Sequence, residues 1–500
     1  MKVLTAAQMR EVDRRTTEMG IPGLVLMENA GHRIVEFLAE KFSPLSSHRI
    51  VILCGKGNNG GDGLVVARQL LTRYSPLTLD VVLLAEPAEL KGDAAANYRM
   101  FEACGGRADR EIKAGMRVAS IVVDALLGTG IKGPAAGVML DAIREINSGF
   151  PLAKVVAVDI PSGMPSDSGA PVGEVACADF TVTLTAPKVC HVLPPNCNQV
   201  GELRVGAIGS RPELYEADDS ITLSILEKRL FRHLFAPRPR GGHKGTFGHV
   251  LVVGGFPGRT GAAAMAGIAA LRAGAGLVTV SSQGPALASI SAHAPELMTE
   301  SFPPVLENKD VIALGPGMGT QSAAVEVARR AFREWHQPMV VDADGLNALV
   351  GSDWLGQGRL RILTPHPGEM SRLTGKRTVE VEADRVGIAR ALAAERGVTV
   401  VLKGQRSLIA FPDGRVWVNP TGTPAMATGG SGDILTGLIA GLVAQFPAEW
   451  ECAVAAAVYL HGLAGEIGAA RVGEKGLIAT DMLRYLPAAM DACANLPDPF

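Results

Sequence analysis

The sequence predicts an α/β protein of two domains, each a mainly parallel sheet with helices on its faces. Three observations carry this expectation. The chain has 500 residues, beyond the roughly 250–300 residues over which a single hydrophobic core keeps growing. Runs of β-branched residues alternate with helical patterns, the rhythm of crossover units and of parallel sheets covered on both faces. Residues 211–245 break that rhythm with Pro212, Glu213, Glu216, Asp218 and Asp219, followed by the kinked basic stretch Arg238 to Lys244. A boundary near residue 215 follows, giving domains over 1–215 and 222–500.

In the first half, Arg49 to Cys54, Leu79 to Leu84, Ser120 to Asp124, Lys154 to Asp159 and Phe180 to Leu184 read as buried strands. Gly63 to Arg73, Ala94 to Ala103 and Met139 to Ser148 read as the helices between them. The second half opens on a strand, His249 to Val253, and a helix of small residues, Gly261 to Ala273. Further strands are expected at Val311 to Leu314, Pro338 to Asp342 and Thr399 to Leu402. The two halves show no internal repeat.

Composition narrows the function classes. Fifty acidic residues against 48 basic ones leave a formal charge of −2, so no global field attracts nucleic acid or an anionic membrane surface. Hydrophobic residues are 47% of the chain, which excludes wholesale disorder. Met1 to Gly20 carries seven charged side chains and no apolar core, so no signal peptide is expected. Apolar stretches such as Leu438 to Phe446 fall short of the roughly 20 residues that span a bilayer. The seven cysteines are scattered without CxxC spacing, which suits reduced, buried thiols in a cytoplasmic protein. Glycine, at 59 residues, is the outlier, and its clustering is informative.

The first cluster follows the first strand as Gly55 to Gly63, GKGNNGGDG. Strand, glycine loop and helix together offer backbone N–H groups to an anion, although neither a dinucleotide fingerprint nor a P-loop fits. Strands ending in Asp124 and Asp159 lead into DALLGTGIKG and DIPSG. Three loops therefore leave the carboxyl ends of parallel strands, where open α/β sheets bind ligands. Their carboxylates and amides are hard oxygen donors, suited to a hard cation or to acid-base work. A lone Asp at a strand end is commonly a cap for the next helix; three such loops in register argue for a shared site.

GNNGGDG, DALLGTGIKG and VDIPSG in this order resemble the YjeF N-terminal family of NAD(P)H-hydrate epimerases, over about residues 1–210. The resemblance implies a Rossmann-like domain in which Asn58, Asn59, Gly60, Gly61 and Asp62, with Gly128, Thr129, Gly130, Ile131, Lys132, Gly133 and Pro134, hold a hydrated dinucleotide. It makes Asp159 the substrate-contacting aspartate and implies a potassium site at Asn59, Asp124 and Ser162. Asp159 is then expected to be the acid-base group at the C6 hydroxyl, with Lys132 stabilising negative charge.

In the second half, GPGMG over Gly315 to Gly319 follows a strand, and His366 is pinned between prolines in TPHPGE. The small-residue helix is read equally as a ligand-facing surface or as a closely packed core helix. Asn419 to Gly437, NPTGTPAMATGGSGDILTG, runs a glycine loop into an apolar helix from Ile434 to Ala444. Gly429, Gly430 and Gly432 suit a phosphate, and Asp433 stands at the helix start as either a dipole-stabilising charge or a general base. Lys403 adds a cation just after its strand.

KGTFG, GPGMG, TPHPGE, KGQRS, GGSGD and VYLHGLAGE together resemble the ADP-dependent NAD(P)H-hydrate dehydratases of the ribokinase-like superfamily, over about residues 222–500. The resemblance implies that Lys403, Gly404, Gln405, Arg406, Ser407 and Gly432 contact the adenine nucleotide. It turns Asp433, His366, Gly317, Gly319 and Ala263 toward the hydrated nicotinamide. Ala425 departs from the glycine that many relatives carry. Magnesium is expected to bridge the nucleotide phosphates, without a carboxylate cage of its own.

Both resemblances point to one damaged metabolite. The expectation is a bifunctional enzyme, an isomerase that interconverts R and S hydrates of NADH and NADPH and a lyase that dehydrates the S form with ADP, releasing AMP and phosphate. Its partners are the hydrates NADHX and NADPHX and ADP, with no nucleic acid and no membrane, in a cytoplasmic homo-oligomer. The alternative is a ribokinase-like small-molecule kinase fused to a non-catalytic dinucleotide-binding module.

Overall fold

A computed structural model describes residues 1–74, 77–131 and 133–495. They form two compact units, the first through Leu223 and the second from Ser224 onward. The first unit holds a six-stranded sheet: β1 (Arg49–Cys54), β2 (Thr78–Leu83), β3 (Ile121–Ala125), β4 (Lys154–Val158), β5 (Phe180–Leu184) and β6 (Glu202–Gly206). All its pairings are parallel, in the order β2-β1-β3-β4-β5-β6. β1 and β3 are buried almost throughout, as continuous apolar runs demand when helices cover both faces.

Expected and observed strands agree to within a residue or two. In this unit the unexpected strand is β6, whose sequence Glu-Leu-Arg-Val-Gly is only partly buried at the sheet edge. The helix after β1 is longer than expected, spanning Asn58–Arg73. Much of the glycine cluster is therefore helix, and packing explains it. A methyl on Gly60 would lie 1.8 Å from Gly55 O, one on Gly61 2.7 Å from Met27 Sδ, and one on Gly63 2.6 Å from Ala125 Cβ. These glycines let the first turns of the helix press against the strand ends.

The second unit carries a ten-stranded sheet: β7 (Leu223–Ile225), β8 (His249–Val253), β9 (Leu277–Ser282), β10 (Met298–Ser301), β11 (Val311–Leu314), β12 (Met339–Val341), β13 (Arg361–Leu363), β14 (Thr399–Leu402), β15 (Leu408–Ala410) and β16 (Val416–Val418). Its order is β10-β9-β8-β11-β12-β13-β14-β15-β16-β7, parallel from β10 to β14 and antiparallel through β15 and β16.

Helix Thr260–Ala273 lies directly on helix Ser431–Gln445. A methyl on Gly437 would fall 2.0 Å from Ala266 O, and one on Gly441 2.7 Å from Ala270 O. Close helix packing thus accounts for the small-residue tract, and Ala263 is fully buried against Gly255. The helix Trp450–Val472 is apolar and long enough to span a bilayer, yet most of it is buried in the core of this unit. Among the cysteines, Cys54, Cys190, Cys197 and Cys493 are buried, whereas Cys104 and Cys177 lie on the surface, and all seven are free thiols. The expectation of buried thiols fails for that exposed pair.

In both sheets the chain reverses its direction of growth beside the first long strand. After β2 it crosses to the far side of β1 to form β3, and after β10 it crosses to the far side of β8 to form β11. Each reversal opens a crevice at the strands' carboxyl ends.

Candidate functional sites

In the first unit that crevice is a cleft of about 640 Å³, within the size range of small-molecule sites. The β1 turn supplies Asn58, Asn59 and Asp62, the β3 loop supplies Gly128, Thr129, Gly130 and Ile131, and β4 supplies Asp159. Gly60 and Gly61 face protein rather than the cleft, and Gly133 and Pro134 are not part of its wall. Lys132 lies outside the described residues. Gly57 caps the helix in an extended conformation, and the first turn's N–H groups open toward the cleft end of the helix.

Asp159 has φ +61°, a left-handed conformation that costs free energy in a non-glycine residue. Its Oδ1 accepts from Lys188 Nζ at 2.5 Å, Thr183 Oγ1 at 3.0 Å and Leu184 N at 3.1 Å. Lys188 Nζ also donates to Leu184 O at 2.8 Å and Thr183 Oγ1 at 2.9 Å. Its three N–H bonds are thereby used, and its side chain is 1% exposed. Burial pushes the Asp159 carboxyl up, but the Lys188 ammonium more than offsets this and holds it below its ordinary value. Asp62 shows the opposite, pushed well up by burial and then by the charges of Asp159 and Asp13. Two further residues crowd the same place. Asp13, from the helix Ala6–Glu18, lines the cleft, and His191 accepts from Lys188 N through Nδ1 and is pushed down to about 3 by burial and by Lys188.

Asp124 is fully buried. Its carboxylate accepts from Ser162 N at 2.8 Å and Ser162 Oγ at 2.5 Å, and burial raises its pKa. Asn59 Nδ2 donates to Leu127 O at 3.1 Å, while a methyl on Gly128 would lie 3.4 Å from Asn59 Oδ1. Asn59, Leu127, Ser162 and Asp124 thus form one chain of hydrogen-bonded oxygen-bearing groups, and the buried carboxylate accepts from the neutral donors Ser162 N, Ser162 Oγ and Leu126 N. This set fits a hard monovalent cation.

In the second unit the site also assembles at strand ends. Asp342 follows β12 and is 2% exposed. It receives Lys403 Nζ at 2.7 Å and Thr436 Oγ1 at 2.9 Å, and Glu369 Oε2 lies 3.7 Å from the same ammonium. Ala343, next in the chain, has φ +48°, and Arg406 has φ +55°, so backbone strain clusters here as it does at Asp159. A methyl on Gly432 would lie 3.2 Å from Lys403 Nζ, which brings the lysine against the first turn of helix Ser431–Gln445. Asp433 stands in that turn. Burial and the neighbouring Asp342 carboxylate push it up to about 7, against the pull of Lys403.

The glycine loop is braced from behind. His461 Nε2 donates to Ser431 O at 2.9 Å, and burial pushes this imidazole down to about 4, so it is neutral near pH 7. Gly430 caps the helix at φ +96°, and a methyl there would meet Met265 Cε at 2.5 Å. Gly429 is unobstructed within 4 Å. On the other wall, Gly319 N donates to Asp344 Oδ2 at 2.7 Å, and the Gly315–Gly319 loop is tied to the β8 loop through Gly255 N to Pro316 O at 2.8 Å. His366 caps helix Pro367–Thr374, its Nδ1 accepting from Gly368 N and Glu369 N, while its Nε2 lies 3.5 Å from Glu369 Oε1. Of KGQRS, the main-chain oxygens of Lys403 and Gln405 are held by Arg385, and Ser407 Oγ donates to Gly404 O at 3.0 Å.

Sequence reasoning missed Lys188, Asp13, His191, Asp342 and His461. Asp342 carried a usable signal, since it directly follows a strand as Asp159 does; Lys188 lies in the segment beyond β5. Asp13 and His461 sit within helices whose local spacing does not distinguish them.

Comparison with known proteins places these sites in context. A family model described as YjeF-related protein N-terminus matches residues 23–190, and one described as NAD(P)H-hydrate dehydratase matches residues 250–488. The bifunctional NAD(P)H-hydrate repair enzyme Nnr of Moorella thermoacetica is 41% identical across 97% of this chain and 96% of its own. The enzyme of the same name from Escherichia coli is 34% identical across 96% and 92%. Among solved structures, the ADP/ATP-dependent NAD(P)H-hydrate dehydratase of Bacillus subtilis, co-crystallised with ATP/Mg2+, superposes with a TM-score of 0.51 at 31% identity, covering 54% of this chain and 98% of that one.

Proposed function

Since the chain belongs to the bifunctional NAD(P)H-hydrate repair enzymes, with an epimerase unit followed by a dehydratase unit, we propose that its two crevices act in succession on one hydrated cofactor. The observation that carries this reading is the pair of oppositely tuned carboxyl sites, one at each crevice: Asp159 held ionised by Lys188, and Asp433 raised to about 7.

In the first cleft, Asn58, Asp62 and the loop Gly128–Ile131 bind the hydrated dinucleotide. Asp159 exchanges a proton at the C6 hydroxyl, and Lys188, whose donors are spent within the protein, acts by fixing Asp159. Potassium, held by Asn59, Asp124 and Ser162, would neutralise the Asp124 carboxylate and order the loops after β3 and β4.

In the second site hydroxide is a poor leaving group, so the C6 oxygen is first phosphorylated. Asp433 removes the hydroxyl proton as that oxygen attacks the terminal phosphorus of ADP, and AMP departs with the electron pair of the broken P–O bond. Loss of the C5 proton and of phosphate from C6 then restores the C5–C6 double bond. N–H groups of Gly429 to Gly432 line the transferring phosphoryl. Asp342, Asp344 and Glu369 are already engaged by Lys403, Gly319 and the His366 cap. These carboxylates are thus committed within the protein, and magnesium carried by the nucleotide would offset phosphate charge. The Lys403 to Ser407 turn and Gly432 receive the adenine nucleotide, and His366, Gly317 and Gly319 face the nicotinamide. The enzyme works in the cytoplasm as a homo-oligomer.

Incubation with racemic hydrate and ADP, followed by recovery of reduced-cofactor absorbance, tests this directly. Complete recovery is expected; arrest at half of the absorbance would show that no epimerase acts, and accumulation of a stable phosphoester would identify a kinase.

A further inference from the structure

We propose that Asp13 is a second catalytic group of the first cleft, the proton donor to the departing C6 oxygen, with Asp159 as the acceptor on the opposite ring face. The inference rests on reading that cleft as the hydrate-epimerising site. Asp13 comes from the helix Ala6–Glu18, which precedes the residues matched by the family model at 23–190.

The helix is built to hold its place. Thr5 caps it with a reciprocal bond to Gln8, Ala6 N donates to Asp167 Oδ1 at 2.6 Å, and Leu4 N donates to Pro187 O at 2.9 Å, beside Lys188. Met9 and Val12 are buried with Leu4 and Ala186. With these turns anchored, Asp13 lines the same cleft as Asp159 and Lys188. Asp13 Oδ1 is buried and has no hydrogen-bond partner among the described residues, a costly arrangement for a group whose role is only structural. Burial holds the Asp13 carboxyl above its ordinary value while Lys188 holds Asp159 below it. Carboxyls driven apart in this way divide into acid and base.

The chemistry requires two such groups. C6 of the hydrate bears both the hydroxyl and the ring nitrogen. When the C6–O bond breaks, its electron pair leaves with oxygen, which takes the Asp13 proton and departs as water, while the N1 lone pair forms an N1–C6 double bond. Water then adds to C6 from the other face, the double-bond electrons return to N1, and Asp159 takes the proton released by the added water. One proton has moved from Asp13 to Asp159, and exchange with solvent resets both. The S-to-R direction runs the same steps with the roles reversed. A single carboxyl cannot reach both faces of a bound ring.

The test uses the full chain, with chiral separation of the hydrates and with S-hydrate dehydration as the internal measure of intact protein. Asp13→Asn should slow R/S exchange by about a hundredfold, a typical contribution of one acid-base group, and leave dehydration unchanged. Asp13→Glu should keep part of the rate, and formate should restore exchange to Asp13→Ala. In water enriched in oxygen-18, wild-type protein should take up one label per inversion. Exchange by Asp13→Asn within threefold of wild type, equal impairment of the Asn and Glu variants without formate rescue, or inversion without label would each overturn the proposal. Asp159→Asn separates the two ideas: if it exchanges normally, the reading of the cleft itself fails.

Discussion

Lys188 Nζ lies 2.5 Å from Asp159 Oδ1, and the two side chains are 1% and 13% exposed. Neither charge is well hydrated, so each depends on the other, and the pair ties β4 to the segment after β5 at the base of the cleft.

Lys188→Met should therefore act on stability and chemistry together. Removing one partner of a buried pair typically costs about 3–5 kcal/mol, and the orphaned Asp159 should protonate near neutral pH and lose its role as base. Because the native carboxyl is held below its ordinary value of 3.8, the pair's contribution to stability is complete above that pH and is lost as the pH falls through the native value. Denaturant unfolding should show lower stability at pH 7 with the gap narrowing in acid, and the exchange rate should fall. The double variant Lys188→Met/Asp159→Asn should recover part of the stability. An unchanged exchange rate in Lys188→Met would remove the lysine from the mechanism.

Asp433 gives a prediction of opposite sign. Its carboxyl rises from 3.8 to about 7, so the folded state resists ionisation, and stability is lost as pH climbs from about 4 to 7. Asp433→Asn should stabilise the protein at pH 8 by about 1–2 kcal/mol, allowing for partial exposure, with little effect at pH 4. The same substitution should abolish dehydration and leave R/S exchange intact. In wild-type protein, the dehydration rate should rise with pH through about 7. A flat rate profile would show that Asp433 is not the base.

The strand ends at Asp124 and Asp159 were legible because β-branched runs stop there and glycine follows. Several elements were not. β15 and β16 are three residues each, too short for a period to register, and β6 mixes Glu and Arg into an exposed edge. The glycines at 60, 61 and 63 read as a flexible loop, whereas contacts with Gly55, Met27 and Ala125 explain them, and those neighbours are set only by the fold. Asp342 was legible by the same rule as Asp159, each standing directly after its strand, whereas Lys188 lies in the segment beyond β5 and carries no such mark. Asp13 was opaque for a different reason: its meaning comes from a cleft it shares with Asp159 and Lys188, more than a hundred residues away in sequence.

The glycines of the second site separate packing from chemistry. Gly437→Ala places a methyl 2.0 Å from Ala266 O, where backbone cannot yield cheaply, and should cost about 1–3 kcal/mol or more. Gly429→Ala meets nothing within 4 Å. It should leave the melting temperature within a degree or two and yet raise KM for ADP, because the added methyl stands at the mouth of the phosphate-binding turn. Thermal melts alongside dehydration kinetics check both. Equal destabilisation by the two variants would mean that the Gly429 turn serves packing and not the nucleotide.

His191 and His461 predict how the protein fails in acid. His191 and His461 are pushed down from 6.5 to about 3 and about 4, each mainly by burial, so the unfolded chain takes up their protons before the folded one does. Stability should fall as pH drops from about 6.5 toward 4, in both units. His461→Gln can keep a donor toward Ser431 O and has no proton to gain, so it should flatten this acid slope for the second unit while preserving much of the dehydration rate. His461→Ala should flatten the slope as well, but it frees the Ser431 carbonyl and should lower the rate at pH 7. Unfolding curves at pH 5 and 7, paired with dehydration rates at pH 7, distinguish the variants. An acid slope unchanged in His461→Gln would place the acid sensitivity elsewhere.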